Sequence, residues 1–272
     1  MRLSRYARAF PGHATEGDAW PSWVSAGARR RFDPLTRLAC AAVDRLLQQG
    51  AALHPDTAVL VATSYGAVES TFKFANSISA YGDAGGSPTP FTTSVHNSCA
   101  AAIGELLHVH GPTTTISHGA TGPLAALRFA HRLIETGRAP AALVLTGERH
   151  NEWSRRVVAQ LSGSRWPIGD GMVGCLVEPG RGSGRALSLQ IPTSTNVLHI
   201  SGGVLNAQDE LLLNSSKNST DRNIVNVPDV MEQWWPGCGL AGLIWNDTSD
   251  VVVVECEGNR RERVWLGGFR DH

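Results

Sequence analysis

The chain has 272 residues, 42% of them hydrophobic and 18% charged. That is long enough to bury a sizeable core and too apolar for a disordered chain. The formal net charge is +0, which removes the electrostatic case for nucleic acid or an anionic membrane surface as partner.

Pro11, Gly12, Gly17, Pro21 and Gly27 interrupt residues 1–30, which are expected to be irregular. A helix is predicted over 33–49, with Asp33 as cap, Pro34 in the first turn and an apolar stripe of Leu35, Leu38, Ala39, Ala42, Val43, Leu46 and Leu47. Residues 58–63 read as a buried strand and 67–79 as a second helix. The Gly/Pro-rich stretch 81–90 reads as a loop. A helix follows over 96–109, with Cys99, Ala102, Ile103, Leu106 and Leu107 on one side. Residues 113–117 form a strand and 122–136 a helix, with Thr121 as cap, Pro123 near its start and Gly137 as terminator. Another strand is predicted at 141–146. Beyond 180 the pattern weakens: strands at 186–191 and 251–255, a short helix at 206–213 and a polar loop at 214–229. Strands alternating with helices predict an α/β fold with a largely parallel, buried sheet.

The cysteines Cys40, Cys99, Cys175, Cys238 and Cys256 are odd in number, widely spaced and free of any CxxC pair. Neither a disulfide framework nor a zinc site is favoured, and reduced thiols in a cytoplasmic protein are expected. No signal peptide is expected in MRLSRYARAFPGH, and no apolar run reaches membrane-spanning length. The sequons at Asn214, Asn218 and Asn246 are then read as chance matches.

Residues 111–137 are the most telling part. A strand, a small-residue turn and an amphipathic helix present a nucleophile on a sharp turn at the positive end of a helix. Here Gly119 occupies the nucleophile's place, and glycine has no side chain with which to attack.

Several motifs carry a resemblance to the β-ketoacyl synthases of fatty-acid and polyketide assembly. GPTTTISHGATGPLAALRFAHRLIETGRAPAALVLTGE resembles the family's nucleophile strand–turn–helix and following strand. GDGMVGCLVE at 169–178 is similar to its Gly-Glu-Gly-Ala-Gly segment, HISGGVLNAQDE at 199–210 to its His-Gly-Thr-Gly-Thr motif, and PGCGLAG at 236–242 to its Gly-His motif. RRRFDPLTRLA at 29–39, ATSYGAVEST at 62–71 and SPTPFTTSVHN at 87–97 resemble chain-length-factor-type members near aryl-polyene pigment genes. The resemblance implies a thiolase-like α/β fold, layered α-β-α-β-α, as a single domain over 1–272. Residues 1–180 would be the ketosynthase-like first half and 181–272 a shortened second half.

A condensing member needs a cysteine to take the acyl chain as a thioester and two histidines to support decarboxylation and the developing oxyanion. By resemblance the three positions fall on Gly119, His199 and Cys238. Glycine forms no acyl-enzyme, and a cysteine thiol is a poor oxyanion donor at neutral pH. His199 reads either as residual decarboxylation or polar support, or as a histidine kept by packing. The resemblance therefore implies a non-catalytic chain-length factor that pairs with a complete ketosynthase, meets acyl carrier protein through that complex and needs no cofactor. Phe91, His96 and Asn97 are its candidate tunnel gate. The alternative is a stand-alone acyl-thioester decarboxylase or acyltransferase using His199.

Other residues carry two readings each. His118, before Gly119, reads as a base or as a turn histidine near an interface. Cys99 follows His96 by three positions and reads as one half of a nucleophile pair or as a small buried hydrophobe. His108 and His110 lack a third metal ligand at suitable spacing. GRGSGR at 180–185 reads as a turn rather than a phosphate loop. Trp234 and Trp235 would line a partner surface or plug the shortened half.

Overall fold

The computed structural model describes residues 1–10, 20–162, 169–180, 184–188, 251–257 and 260–270. In chain order the elements are β1 (Arg2–Ala9), α1 (Ala26–Arg29), α2 (Pro34–Gln48), β2 (Ala58–Ala62), α3 (Val68–Tyr81), α4 (Pro88–Ser94), α5 (Ser98–Leu107), β3 (Thr113–Ile116), α6 (Gly122–Glu135), β4 (Ala142–Glu148), α7 (Glu152–Ser162), β5 (Gly171–Glu178), β6 (Gly184–Ser188), β7 (Val251–Glu257) and β8 (Arg260–Arg270). Single 3-10 turns cover Asp83–Gly85 and Gly119–Thr121.

Helix α2 forms as its sequence predicts. The Asp33 side chain accepts from Thr36 N at 2.9 Å, and Pro34 sits in the first turn, where no backbone donor is needed. Its apolar stripe is buried, and Leu35, Leu38 and Leu46 each contribute roughly 1.5–3 kcal/mol by leaving water. Helix α6 ends at Gly137, whose φ of +69° suits glycine, with Arg138 N bonding back to Leu133 O at 2.8 Å.

The described strands form one eight-stranded sheet in the order β3-β2-β4-β5-β1-β6-β8-β7. Neighbours β2–β3 and β2–β4 are parallel and every other pair is antiparallel. The sheet is therefore mixed, not largely parallel as predicted. Strands β1 to β4 all run one way, and β5 runs against its neighbours β4 and β1. Residue alternation divides the core into two layers. Ala58, Leu60, Ala62, Ala142, Val144, Val173, Cys175 and Val177 pack with Leu124, Leu127, Ala130 and Leu133 of α6. Val59, Val61, Leu143, Leu145 and Met172 face α2 and α5 on the other side.

Two further predictions are corrected. Residues 1–30 are not irregular throughout, because β1 lies between β5 and β6 inside the sheet. Its pattern is concealed by a bulge between Leu3 and Arg5. The extra residue puts Leu3 and Tyr6 on the α6 side and Ala7 and Ala9 on the α2 side, which breaks simple alternation. The stretch 81–90 is not wholly loop, since α4 begins at Pro88. Proline there helps a helix to start, because first-turn residues have no intrahelical donor to lose. The predicted elements at 206–213 and 214–229 lie outside the described residues. Among the described residues no helix is long and apolar enough to cross a membrane.

Strands β4 and β5 approach so closely at Gly147 that a Cβ there would lie 2.0 Å from Gly171 O and 2.8 Å from Met172 Cα. Both obstacles are backbone and cannot swing away. Gly147→Ala is expected to cost about 3 kcal/mol, read as a fall of roughly 6–12 °C in the thermal unfolding midpoint.

Candidate functional site

Strands β2, β3 and β4 end side by side, so the turns that follow them share one edge of the sheet. In open α/β sheets this is where ligands are met. The turn after β3 is the one expected to hold a nucleophile. Gly119 has a φ of +55°, a left-handed conformation that glycine takes freely. Thr121 is fully buried and holds the N-cap position of α6 as predicted, but its side chain makes no cap hydrogen bond. Its hydroxyl donates instead to His118 O at 2.9 Å and lies 3.1 Å from His118 Nδ1. One hydroxyl proton serves one acceptor, so with that bond made the ring contact requires His118 to donate from Nδ1.

Around this turn the other sequence candidates separate. His96 is exposed and lies on Gly66, whose added Cβ would meet His96 Nδ1 at 2.5 Å. Asn97 is exposed at the start of α5 and makes no side-chain cap. Phe91, on α4, is 54% exposed, with its ring 5.1 Å from that of Phe74 on α3. Cys99 is 1% exposed and faces α2. Burial, with Asp33 and Cys40 beside it, pushes its thiol well above the ordinary range. An exposed histidine and a core thiol do not make a nucleophile pair, so that reading is set aside. His108 takes the left-handed position that ends α5, at φ +52°. His199, Cys238, Trp234 and Trp235 lie outside the described residues. Among the described residues no group of three or more His, Cys, Asp or Glu could hold a metal ion.

Sequence reasoning did not single out the residues at the end of β4. Glu148 is fully buried. Its carboxylate accepts from Thr63 Oγ1 at 2.9 Å, from Tyr65 N at 3.4 Å and from Ser64 N. Burial pushes its pKa up to about 7, against the pull of these hydrogen bonds. Next along, His150 is 5% exposed, and neither ring nitrogen has a hydrogen-bond partner among the described residues. Burial draws it down to about 4, against the opposing effect of Asp170. Its ring meets the Tyr65 ring edge-on at 5.4 Å. Asp170 secures this corner by accepting from His150 N at 2.9 Å and pairing with Arg149 at 2.6 Å and with Arg155 on α7. The available signal was a carboxylate closing an apolar strand, in ALVLTGE.

A family model, the β-ketoacyl synthase N-terminal domain, matches residues 6–168. Among solved structures, the chain is similar to the ishigamide ketosynthase/chain length factor, at 18% identity and a TM-score of 0.73 over 94% of this chain and 85% of that one. It is similar to an AntDE:AntF complex of a type II PKS acyl-carrier protein with its ketosynthase bound to the hexaketide (11% identity, TM-score 0.78, covering 100% and 99% of the two chains). It is also similar to the ketosynthase ApeO in complex with its chain length factor ApeC from Xenorhabdus doucetiae (16% identity, TM-score 0.55, covering 98% of each). Comparison with curated proteins gives no match. The mixed sheet, its helical layers and the strand–turn–helix around Gly119 make this a thiolase-like ketosynthase fold. The chain belongs to the β-ketoacyl synthase family.

The contact between Gly66 and His96 can be tested by a double-mutant cycle in urea. Gly66 has a φ of +57°, so Gly66→Ala is expected to cost about 1–2 kcal/mol from left-handed strain plus displacement of His96. In a His96→Ala background the displacement part disappears and the cost falls. An unchanged cost would separate the two residues energetically.

Proposed function

We propose that this chain is a chain-length-factor-type subunit. In this reading it pairs with a complete ketosynthase and shapes the cavity in which the acyl chain grows on the partner. The observation that carries it is Gly119. The turn has the backbone for a nucleophile between β3 and α6, at a φ of +55°, but no side chain there. Without a thiol no acyl-enzyme forms, and ordinary condensation cannot begin on this chain. Likeness in fold to ketosynthase/chain length factor assemblies supports the reading, as does membership of the family.

The partner would be a ketosynthase, and acyl carrier protein would meet the complex rather than this chain alone. Among the described residues strand β3 ends the sheet, and in this reading its outer edge continues into the partner's sheet. Phe91, His96 and Asn97 are the proposed gate, all exposed in the isolated chain. Aryl-polyene or related polyene assembly is the proposed setting. The whole would be a single thiolase-like domain with a trimmed second half, working in the cytoplasm.

Co-expression with the ketosynthase encoded nearest to this chain, followed by native mass spectrometry, tests the pairing. A one-to-one heterodimer is expected. A stable homodimer that ignores the ketosynthase overturns the reading.

Chain length would be a matter of packing in this model, since bulk in a pocket wall excludes the next methylenes. Replacing Asn97 by Trp is expected to shorten the product of the reconstituted pair without abolishing it. Products of unchanged length across Asn97→Trp and His96→Trp would remove these residues from the gate.

A further inference from the structure

Thr63 stands one residue past β2, where three elements meet. Its N–H donates to Ile116 O at 3.1 Å and carries the β2–β3 ladder one bond further. The residue is 2% exposed. Its hydroxyl donates to Glu148, at the end of β4, at 2.9 Å and accepts from Gly66 N at 3.1 Å. One side chain thus joins the ends of β3 and β4 to the turn that leads into α3.

The direction of that hydroxyl is set by its neighbours. A hydroxyl has one proton to give and two lone pairs to receive with. The other groups on the Glu148 carboxyl are Ser64 N and Tyr65 N, which only donate. A carboxyl group ringed by donors is the arrangement a charged carboxylate takes. The carboxylate claims the Thr63 proton and leaves a lone pair for the buried Gly66 amide. Without that acceptor, the Gly66 N–H is a buried donor with no partner.

Gly66 is in turn the seat of His96. The ring atoms Nδ1, Cε1 and Cγ lie 2.5, 2.9 and 3.3 Å from the place a Cβ on Gly66 would take. The imidazole therefore packs on bare backbone. His96 is otherwise exposed, so the Gly66 backbone is the wall against which the ring stands.

We propose that Thr63 is a positioning residue for His96: its hydroxyl, turned by the Glu148 carboxylate, holds Gly66 in place and so sets where the His96 ring stands at the strand-end edge. For product length this rests on the gate proposed above; for the position of the ring it does not.

Three substitutions separate hydrogen bonding from packing. Valine nearly keeps the shape of threonine and lacks the hydroxyl, whereas serine keeps the hydroxyl and loses a methyl group. Thr146 supplies the control, because it is fully buried in β4 and its hydroxyl has no partner among the described residues.

The Cε1–H NMR signal of His96, read on the full chain at pH 8, reports the position of the ring. At that pH Glu148, pushed up to about 7 by burial, is charged. Thr63→Val is expected to displace this signal and to speed amide exchange at Gly66 about tenfold, with the His131 signal from α6 unmoved. Thr63→Ser and Thr146→Val are expected to leave His96 and Gly66 as in the wild type. A His96 signal that stays in place in Thr63→Val, or that Thr63→Ser moves as far, overturns the proposal. Should Thr63→Val not fold, the wild type and Thr63→Ser decide. In both, the Gly66 amide must be protected from exchange and its α-protons must show a nuclear Overhauser contact with the His96 ring; absence of either overturns the proposal. In the reconstituted pair, Thr63→Val is expected to change product length in the direction of His96→Ala and to add nothing in the double variant, and additive changes overturn the positioning role. Unchanged length in all three variants removes His96 from the gate, and a pair that never forms sinks the partner reading; in either case the ring signal still judges Thr63.

Discussion

Strand β4 is buried along its whole length between two helical layers, and it ends in a carboxylate. That single constraint organises the strand-end edge. A buried charge must be answered by donors or given up as a proton. Here the answer comes from the turn after β2, folded back so that its backbone N–H groups converge on Glu148. Two residues after Glu148, the His150 amide is held by Asp170, a second carboxylate that also gathers two arginines and ties β4 to α7 and β5. The two carboxylates fix both sides of the β4 terminus, and His150 sits between them against Tyr65.

In the proposed reading, the neighbouring turn after β3 keeps a family's frame without its reagent. The backbone of a nucleophile turn needs a left-handed residue, a short 3-10 segment and a following helix, and all three are present from Gly119 to Gly122. None of these depends on a thiol. In that reading, a bare glycine at 119 removes covalent chemistry while leaving the architecture in place. What remains is surface: the outer edge of β3, the half-buried His118 ring and the exposed His96.

Helices α3 and α4 make the opposite impression to the core. Only Val68 and Ser70 of α3 are buried, and no residue of α4 is. Their aromatic side chains find one another instead, Phe74 with Phe91 and Phe72 with Trp153. Tyr81 and Val95 stay 77% and 51% exposed. Exposed aromatics on a sparsely charged surface are what an interface core presents, and this agrees with the partner-subunit reading.

Much of the fold was legible along the chain, because its signals are local. The 3.6-residue stripe of α2, the Asp33 cap, the β2 run and the Gly137 terminator each depend on neighbours a few positions away. The reading of Gly119 is local too, since it comes from the strand before it and the helix after. Strand β1 escaped because its bulge breaks the alternation that marks a strand, and the sheet position that supplies its partners is not written locally. The direction of β5 escaped for the same reason, since residues 171–178 read equally well either way until β4 and β1 close on them. Glu148 was invisible as a site because its donors lie 83 to 85 positions earlier in the chain. The sequence by itself determined the elements whose signals are local, such as α2, β2 and α6, and that residue 119 has no side chain. The tertiary structure alone decided which buried groups must answer one another, because desolvation depends on who surrounds a charge and not on who precedes it.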